Sequence, residues 1–121
     1  MQNLKTDFLE IQISEKGDKV LMAWIGQSND VNPSILLTPY LDDLADDLKG
    51  HQLIIEYDKL KYMNSSTVPP IINFLKRLNK NKIKTTVTYD TKSKWQSASF
   101  KAMATLSLMM DYIIVKAPKI S

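Results

Sequence analysis

The chain has no cysteine, which excludes disulfides, thiolate metal sites and cysteine nucleophiles. It has three glycines, Gly17, Gly26 and Gly50, and no two are close together. A phosphate-cradling loop needs several within a few residues, so GxGxxG, P-loop and GxSxG arrangements are all missing. The single histidine, His51, has no second ligand or base near it in sequence. A lone histidine at the start of a strand reads as structural rather than catalytic. No apolar run approaches the roughly 20 residues that cross a bilayer. The opening MQNLKTDFLE has no basic-then-apolar leader pattern. The expectation is a cytoplasmic protein without a membrane partner.

What is present is ordinary in amount and uneven in placement. With 121 residues, 44% hydrophobic and 24% charged, the chain reads as a single domain, 1–121, with a proper core. The formal net charge of +3 conceals two blocks. Asp42, Asp43, Asp46 and Asp47 fall within six residues, whereas Lys59 to Lys84 holds seven basic residues and no acidic one. An acidic helix beside a basic helix suggests a dipolar surface that orients protein partners. Each run also reads as a solvated helix face. Nucleic acid is not expected, because the basic run lacks the stacked aromatics of a strand-binding groove. The paired aspartates lie on an outer helix face, where solvent keeps them ionised, so they are poor general acids or bases. A phosphoaspartate receiver needs acids just after the first buried strand. The nearest acid after Val20–Ile25 is Asp30, in an open loop.

The periodicity sets out the elements. Phe8–Ile13 alternates as a half-buried strand, Lys16-Gly17-Asp18 is a turn, and Val20–Ile25 is a second strand antiparallel to the first. Gln27–Pro33 reads as loop. Thr38 as N-cap and Pro39 as first residue mark a helix start, with Ile35–Leu37 either an extra turn or a short extended piece. Leu37, Leu41, Leu44 and Leu48 line the apolar face of that helix, and Gly50 stops it. Leu53-Ile54-Ile55 followed by Tyr57 suits a strand buried on both faces. A second helix carries Ile71, Leu75 and Leu78 inward, widened by Ile72 and Phe74, with Lys76, Arg77 and Lys80 outward. Ile83–Tyr89 is a further strand. Lys94 to about Leu108 is a third helix with Trp95, Ala98, Ala102, Met103 and Leu106 on one face and Phe100 off it, as an exposed aromatic or a partner anchor. Tyr112–Val115 is a last strand, and Pro118 with the polar end closes the chain. The result is an α/β fold: a mixed sheet of about five strands with three helices, in the order β-β-α-β-α-β-α-β.

Between the Leu53 strand and the second helix lies Asn64-Ser65-Ser66-Thr67, then Val68-Pro69-Pro70. Small hydroxyl and amide side chains bond nearby backbone and end a strand. The prolines suit a first helical turn, where a missing N–H costs nothing. They also delay the regular helix, because a residue before proline disfavours αR. Hydroxyls at a helix N-terminus serve as caps. A phosphate there would add about −1.5 to −2 charges beside helix N–H groups.

Tyr62-Met63-Asn64-Ser65-Ser66-Thr67-Val68, together with the element order, resembles the STAS domains of bacterial anti-sigma-factor antagonists. In that family an Asp-Ser-Ser-Gly or Asp-Ser-Thr-Gly motif opens a helix after a strand. Asn64 stands for the Asp, Ser65 and Ser66 for the hydroxyl pair, and Thr67 for the Gly. The resemblance covers most of the chain and implies partner switching by a protein that is not an enzyme and needs no cofactor. An anti-sigma-type Ser/Thr protein kinase would phosphorylate Ser65, with Ser66 and Thr67 as alternatives. A PP2C-type phosphatase would reverse it, and a downstream effector protein would read the state. Asn64, Ser65, Ser66 and Thr67, with Lys76 and Arg77 on the adjoining helix, would form the protein-binding surface. The likeness extends to a Gram-negative branch with biofilm or cyclic-dinucleotide output. The family commonly adds a helix after the last strand. With six residues after Val115, one sheet face is expected to be less covered. The alternative is a STAS-like scaffold that binds its partner constitutively without phosphorylation.

Overall fold

The computed structural model describes residues 1–117; the expected closing segment from Pro118 lies outside them. The strands are β1 (Leu4–Lys5), β2 (Leu9–Lys16), β3 (Lys19–Ser28), β4 (Gln52–Glu56), β5 (Leu60–Met63), β6 (Thr85–Thr88) and β7 (Ile113–Lys116). The helices are α1 (Ser34–Asp47), α2 (Val68–Lys80) and α3 (Lys94–Ser107). One sheet runs β1-β2-β3-β4-β6-β7, with β5 paired to the far half of β3. The β1–β2 and β2–β3 pairs are antiparallel; β3–β4, β3–β5, β4–β6 and β6–β7 are parallel. Strands β2 and β3 close on a two-residue turn, Lys16 pairing with Lys19. Gly17 takes φ 63° and Asp18 stays at negative φ, a pattern of type II′ with glycine first.

Strand β3 serves two partners in succession. Lys19–Ala23 pairs with β4, then the register shifts at Gly26/Gln27 and Gly26–Ser28 pairs with β5. Gly26 makes that shift, at φ 97°, where a Cβ would overlap the Phe8 carbonyl oxygen. The two-residue β1 and the four-residue β5 add to the five strands expected from periodicity. Within β5 the buried residues are its two ends, Leu60 and Met63, which is not a strand alternation.

The sheet buries one face. Ile11, Met22, Trp24, Leu53, Ile55 and Val87 join the buried faces of all three helices in a single core. Ile54 is only half-buried, so the central strand is not enclosed on both sides as expected. Helix α1 begins at Ser34, one turn before the expected Thr38–Pro39 start. Pro33 is its N-cap and accepts from Leu37 N–H at 2.9 Å. Pro39 sits inside the helix and leaves the Ile35 carbonyl without its donor. Ile35 is 74% exposed, so the missing bond falls at the surface rather than in the core. Its apolar face is the expected one: Leu37, Leu41, Leu44 and Leu48 are all buried.

Helix α3 is rotated from the expected face. Gln96, Phe100, Met103 and Ser107 are buried, while Ala98 and Ala102 are exposed and Trp95 is half-buried. Phe100 is fully buried and stacks on Tyr57 and Tyr89, with ring centroids 4.7 and 5.6 Å apart. Gln96 is a polar side chain in the core position. Its amide donates to the carbonyls of Tyr57 (2.7 Å) and Leu60 (2.8 Å) and accepts from Asp90 N–H (2.8 Å). It thereby fixes the β4–β5 connection. Gln96→Leu takes the side-chain partner from the Leu60 carbonyl and the Asp90 N–H and one of two donors from the Tyr57 carbonyl, which keeps Leu60 N–H, and is expected to cost about 3 kcal/mol. Thermal unfolding should show Tm lower by roughly 10 °C.

Candidate functional site

The chain from β5 to α2 turns through a single 3₁₀ turn, Ser65–Thr67. Asn64 is extended (φ −79°, ψ 167°) and caps the turn, its side chain accepting from Thr67 N–H at 3.1 Å. Helix α2 follows directly at Val68, which is αR although Pro69 comes next. The expected delay of the helix is thus taken up by the tighter turn.

Thr67 points inward and is 0% exposed. Its Oγ1 lies 2.8 Å from Asn64 Oδ1 and 2.7 Å from Ser28 Oγ. Asn64 Oδ1 can only accept, so the Thr67 hydroxyl donates to it and Ser28 donates to Thr67. Asn64 Nδ2 in turn donates to the Asp30 carbonyl at 2.7 Å, and Asn64 N–H to the Ser28 carbonyl at 2.9 Å. Together these bonds tie the last residue of β3, the turn and the β3–α1 loop into one network. A carboxylate at position 64 could not donate to Asp30. A glycine at position 67 could not join β3 to Asn64. Both departures from the Asp-Ser-Ser-Gly pattern therefore complete one network.

Ser65 and Ser66 lie on the outside of the same turn and are exposed. The turn thus separates the three hydroxyls predicted from sequence: two face solvent and the third is a buried strut. The N–H groups expected to receive a phosphate are fewer than a normal helix start offers. Pro69 and Pro70 have none, Val68 N–H goes to the Ser65 carbonyl, and Thr67 N–H goes to Asn64.

The surroundings mix exposed hydrophobics with polar groups, Asn29 and Asp30 among them. Phe8, Val31, Ile35, Leu36 and Tyr62 are exposed large hydrophobics. Phe8 and Leu36 line a cleft with Ser28 and Asp30, and Tyr62 is paired to Gln27 of β3. On the other side, Val68, Ile72, Met103 and Leu106 line an apolar groove of about 220 Å³ between α2 and α3. Lys76 and Arg77 lie elsewhere, with Arg77 nine residues, or about 14 Å, along α2 from Val68. Arg77 reaches across to α1, 3.5 Å from Asp46 and 3.8 Å from Asp42. The basic and acidic helices are thus neighbours, joined by an exposed pair worth little in stability. His51 is half-exposed, its Nδ1 3.3 Å from the Lys49 carbonyl. Among the described residues, no group of three His, Asp or Glu side chains is placed to hold a metal ion. No helix there is long and apolar enough to cross a membrane.

This is the STAS fold of the anti-sigma factor antagonists. A chain from the Pseudomonas aeruginosa complex of the diguanylate cyclase SiaD with its activator SiaC superposes with TM-score 0.68 at 15% identity, covering 98% of this chain and 100% of that one. An anti-sigma factor antagonist from Mycobacterium paratuberculosis gives 0.63 at 11% identity, covering 91% and 88%. The antagonist SpoIIAA in its unphosphorylated form gives 0.57 at 12% identity, covering 88% and 87%. No protein-family model matches the chain, and no curated protein matches its sequence. At these identities the likeness is one of fold.

Thr67→Val keeps the shape and removes the hydroxyl, leaving Ser28 Oγ and Asn64 Oδ1 each short of a partner. The expected loss is about 1.5 kcal/mol in denaturant unfolding. Hydrogen exchange at residues 64–67 should quicken more than in the core strands.

Proposed function

We propose that the chain is a non-enzymatic partner-switching regulator, cytoplasmic and without a cofactor, whose binding is controlled by phosphorylation of Ser65. The observation that carries this reading is the division of the turn: Ser65 and Ser66 face solvent on a turn that Thr67 and Asn64 hold from inside. Ser66 is the alternative acceptor. Thr67 would need the turn to open first. The partner docks on the neutral turn and the exposed hydrophobics near it, with Asn64 at the turn's edge and Lys76 and Arg77 as a charged flank along α2.

The chemistry of the turn makes modification disruptive without unfolding. A phosphate on Ser65 would meet few N–H groups, because two of the first helical residues are prolines. Its charge of about −1.5 to −2 is then presented outward. A partner seated on an apolar surface would have to desolvate that charge, at several kcal/mol. The kinase is of the anti-sigma type and the phosphatase of the PP2C type. The likeness to a chain of the SiaD–SiaC complex favours an effector in cyclic-dinucleotide signalling over a sigma factor. Constitutive binding without phosphorylation is the competing reading, favoured by the same shortage of N–H groups to receive a phosphate.

Intact-mass measurement of protein isolated from its native cells, with and without PP2C treatment, tests modification. The expected result is a phosphatase-sensitive increment of one phosphate that Ser65→Ala abolishes. In pull-downs from the same cells, Ser65→Ala should keep the partner and Ser65→Asp should lose it, roughly tenfold or more in affinity. No phosphate increment, with equal capture by all three proteins, would establish constitutive binding instead.

A further inference from the structure

Helix α3 carries two uncharged stripes. Phe100 and Met103 enter the core beside Gln96 and Ser107. Trp95, Ser99, Ala102 and Leu106 follow one another at intervals of three or four residues and share a second face, and none of them is buried. On α2, Val68 and Ile72 are one turn apart and half-buried. Both are brought against that second face of α3. Together with Met103 they enclose the groove of about 220 Å³, and of its lining residues Ser99 alone is polar.

The charge at the edge of the groove has one sign. Neither α2 nor α3 contains an acidic residue. Lys76 stands one turn after Ile72, with Lys80 one turn further, and both are exposed. Arg77 is turned the other way, to Asp42 and Asp46 of α1. Lys94 and Lys101 stand on the outer side of α3, about 140° and 160° round the helix from Ser99. Asp58, Asp90 and Asp111 lie in connections rather than on either helix. The groove thus has an apolar floor, a cationic edge on α2 and a neutral edge on α3.

These features select an occupant. The volume is below the ~300–1,000 Å³ of a small-molecule pocket, and one hydroxyl does little to orient such a ligand. Ser99 to Leu106 spans about 10 Å of α3, the separation of anchors at i and i+7 on a third helix laid between two. We infer that the groove takes an amphipathic helix of a partner protein, with aliphatic anchors between α2 and α3 and acidic residues along the flank that meets Lys76 and Lys80. The inference rests on the Ser65 reading in one respect only, its regulation. Ser65 stands about 6 Å before Val68, so a phosphate there places its charge at the mouth of the groove, where an anchor on Val68 has to be desolvated.

A synthetic helix of about 18 residues, with leucine anchors and glutamates along one flank, tests the groove by NMR titration of the isotope-labelled full chain. Circular dichroism confirms that each variant is folded. Chemical-shift changes should concentrate at residues 68–76 and 95–106. Ala102→Glu, at an exposed position of the groove, should weaken binding about tenfold or more, Lys76→Glu several-fold, and Lys101→Glu little. The same peptide with lysine for glutamate should bind about tenfold more weakly, and Ser65→Asp should weaken the glutamate peptide several-fold. No shift at either helix at millimolar peptide would overturn the inference, even with phosphate found on Ser65 in native cells. So would equal binding of the lysine peptide, or shifts that Ala102→Glu leaves in place. Preference for phosphatidylglycerol vesicles over the peptide, or a dimer of the chain that Ala102→Glu abolishes, would overturn it in favour of a lipid surface or a second copy. Binding unchanged by Ser65→Asp would overturn the control by phosphate and leave the groove assigned.

Discussion

The buried hydroxyl of Thr67 is the tie on which the candidate site depends. A 3₁₀ turn of three residues has little stability of its own. This one is held because Thr67 is bonded to both the end of β3 and the cap residue Asn64. The tie reaches beyond the turn. Ser28 lies at the end of a strand that changes partners at Gly26, and that change is what lets β5 return beside β3 and deliver Asn64 to Ser28. From the other side, Gln96 fixes the β4–β5 connection through two carbonyls. The exposed serines thus stand on a platform braced from the sheet and from α3.

A braced turn suits a switch that works by charge rather than by shape. If Ser65 sat on a mobile loop, a partner would pay for ordering it, and a phosphate would find a relaxed conformation that lessened its effect. Here the backbone has little freedom to rearrange around an added dianion. The prolines at the start of α2 sharpen this. They permit a tight helix entry and also remove the N–H groups that would neutralise the phosphate. The same substitution pattern that weakens the motif as a phosphate cradle strengthens it as a source of repulsion.

The sequence carried the fold because the strongest signals were long-range regularities. The leucines of α1, the apolar face of α2 and the β-branched runs of β4, β6 and β7 stand where periodicity puts them. What periodicity missed was decided by contacts distant in sequence. Gln96 is polar, so a pattern reading turns it outward and takes Phe100 with it; its three backbone partners exist only once β5 has folded back. Pro39 looked like a helix start because its missing N–H is cheapest there, and an exposed carbonyl made it tolerable later. The site was legible as a hydroxyl cluster. Which hydroxyls face out was not, because Thr67 is drawn inward by Ser28, 39 residues away in sequence.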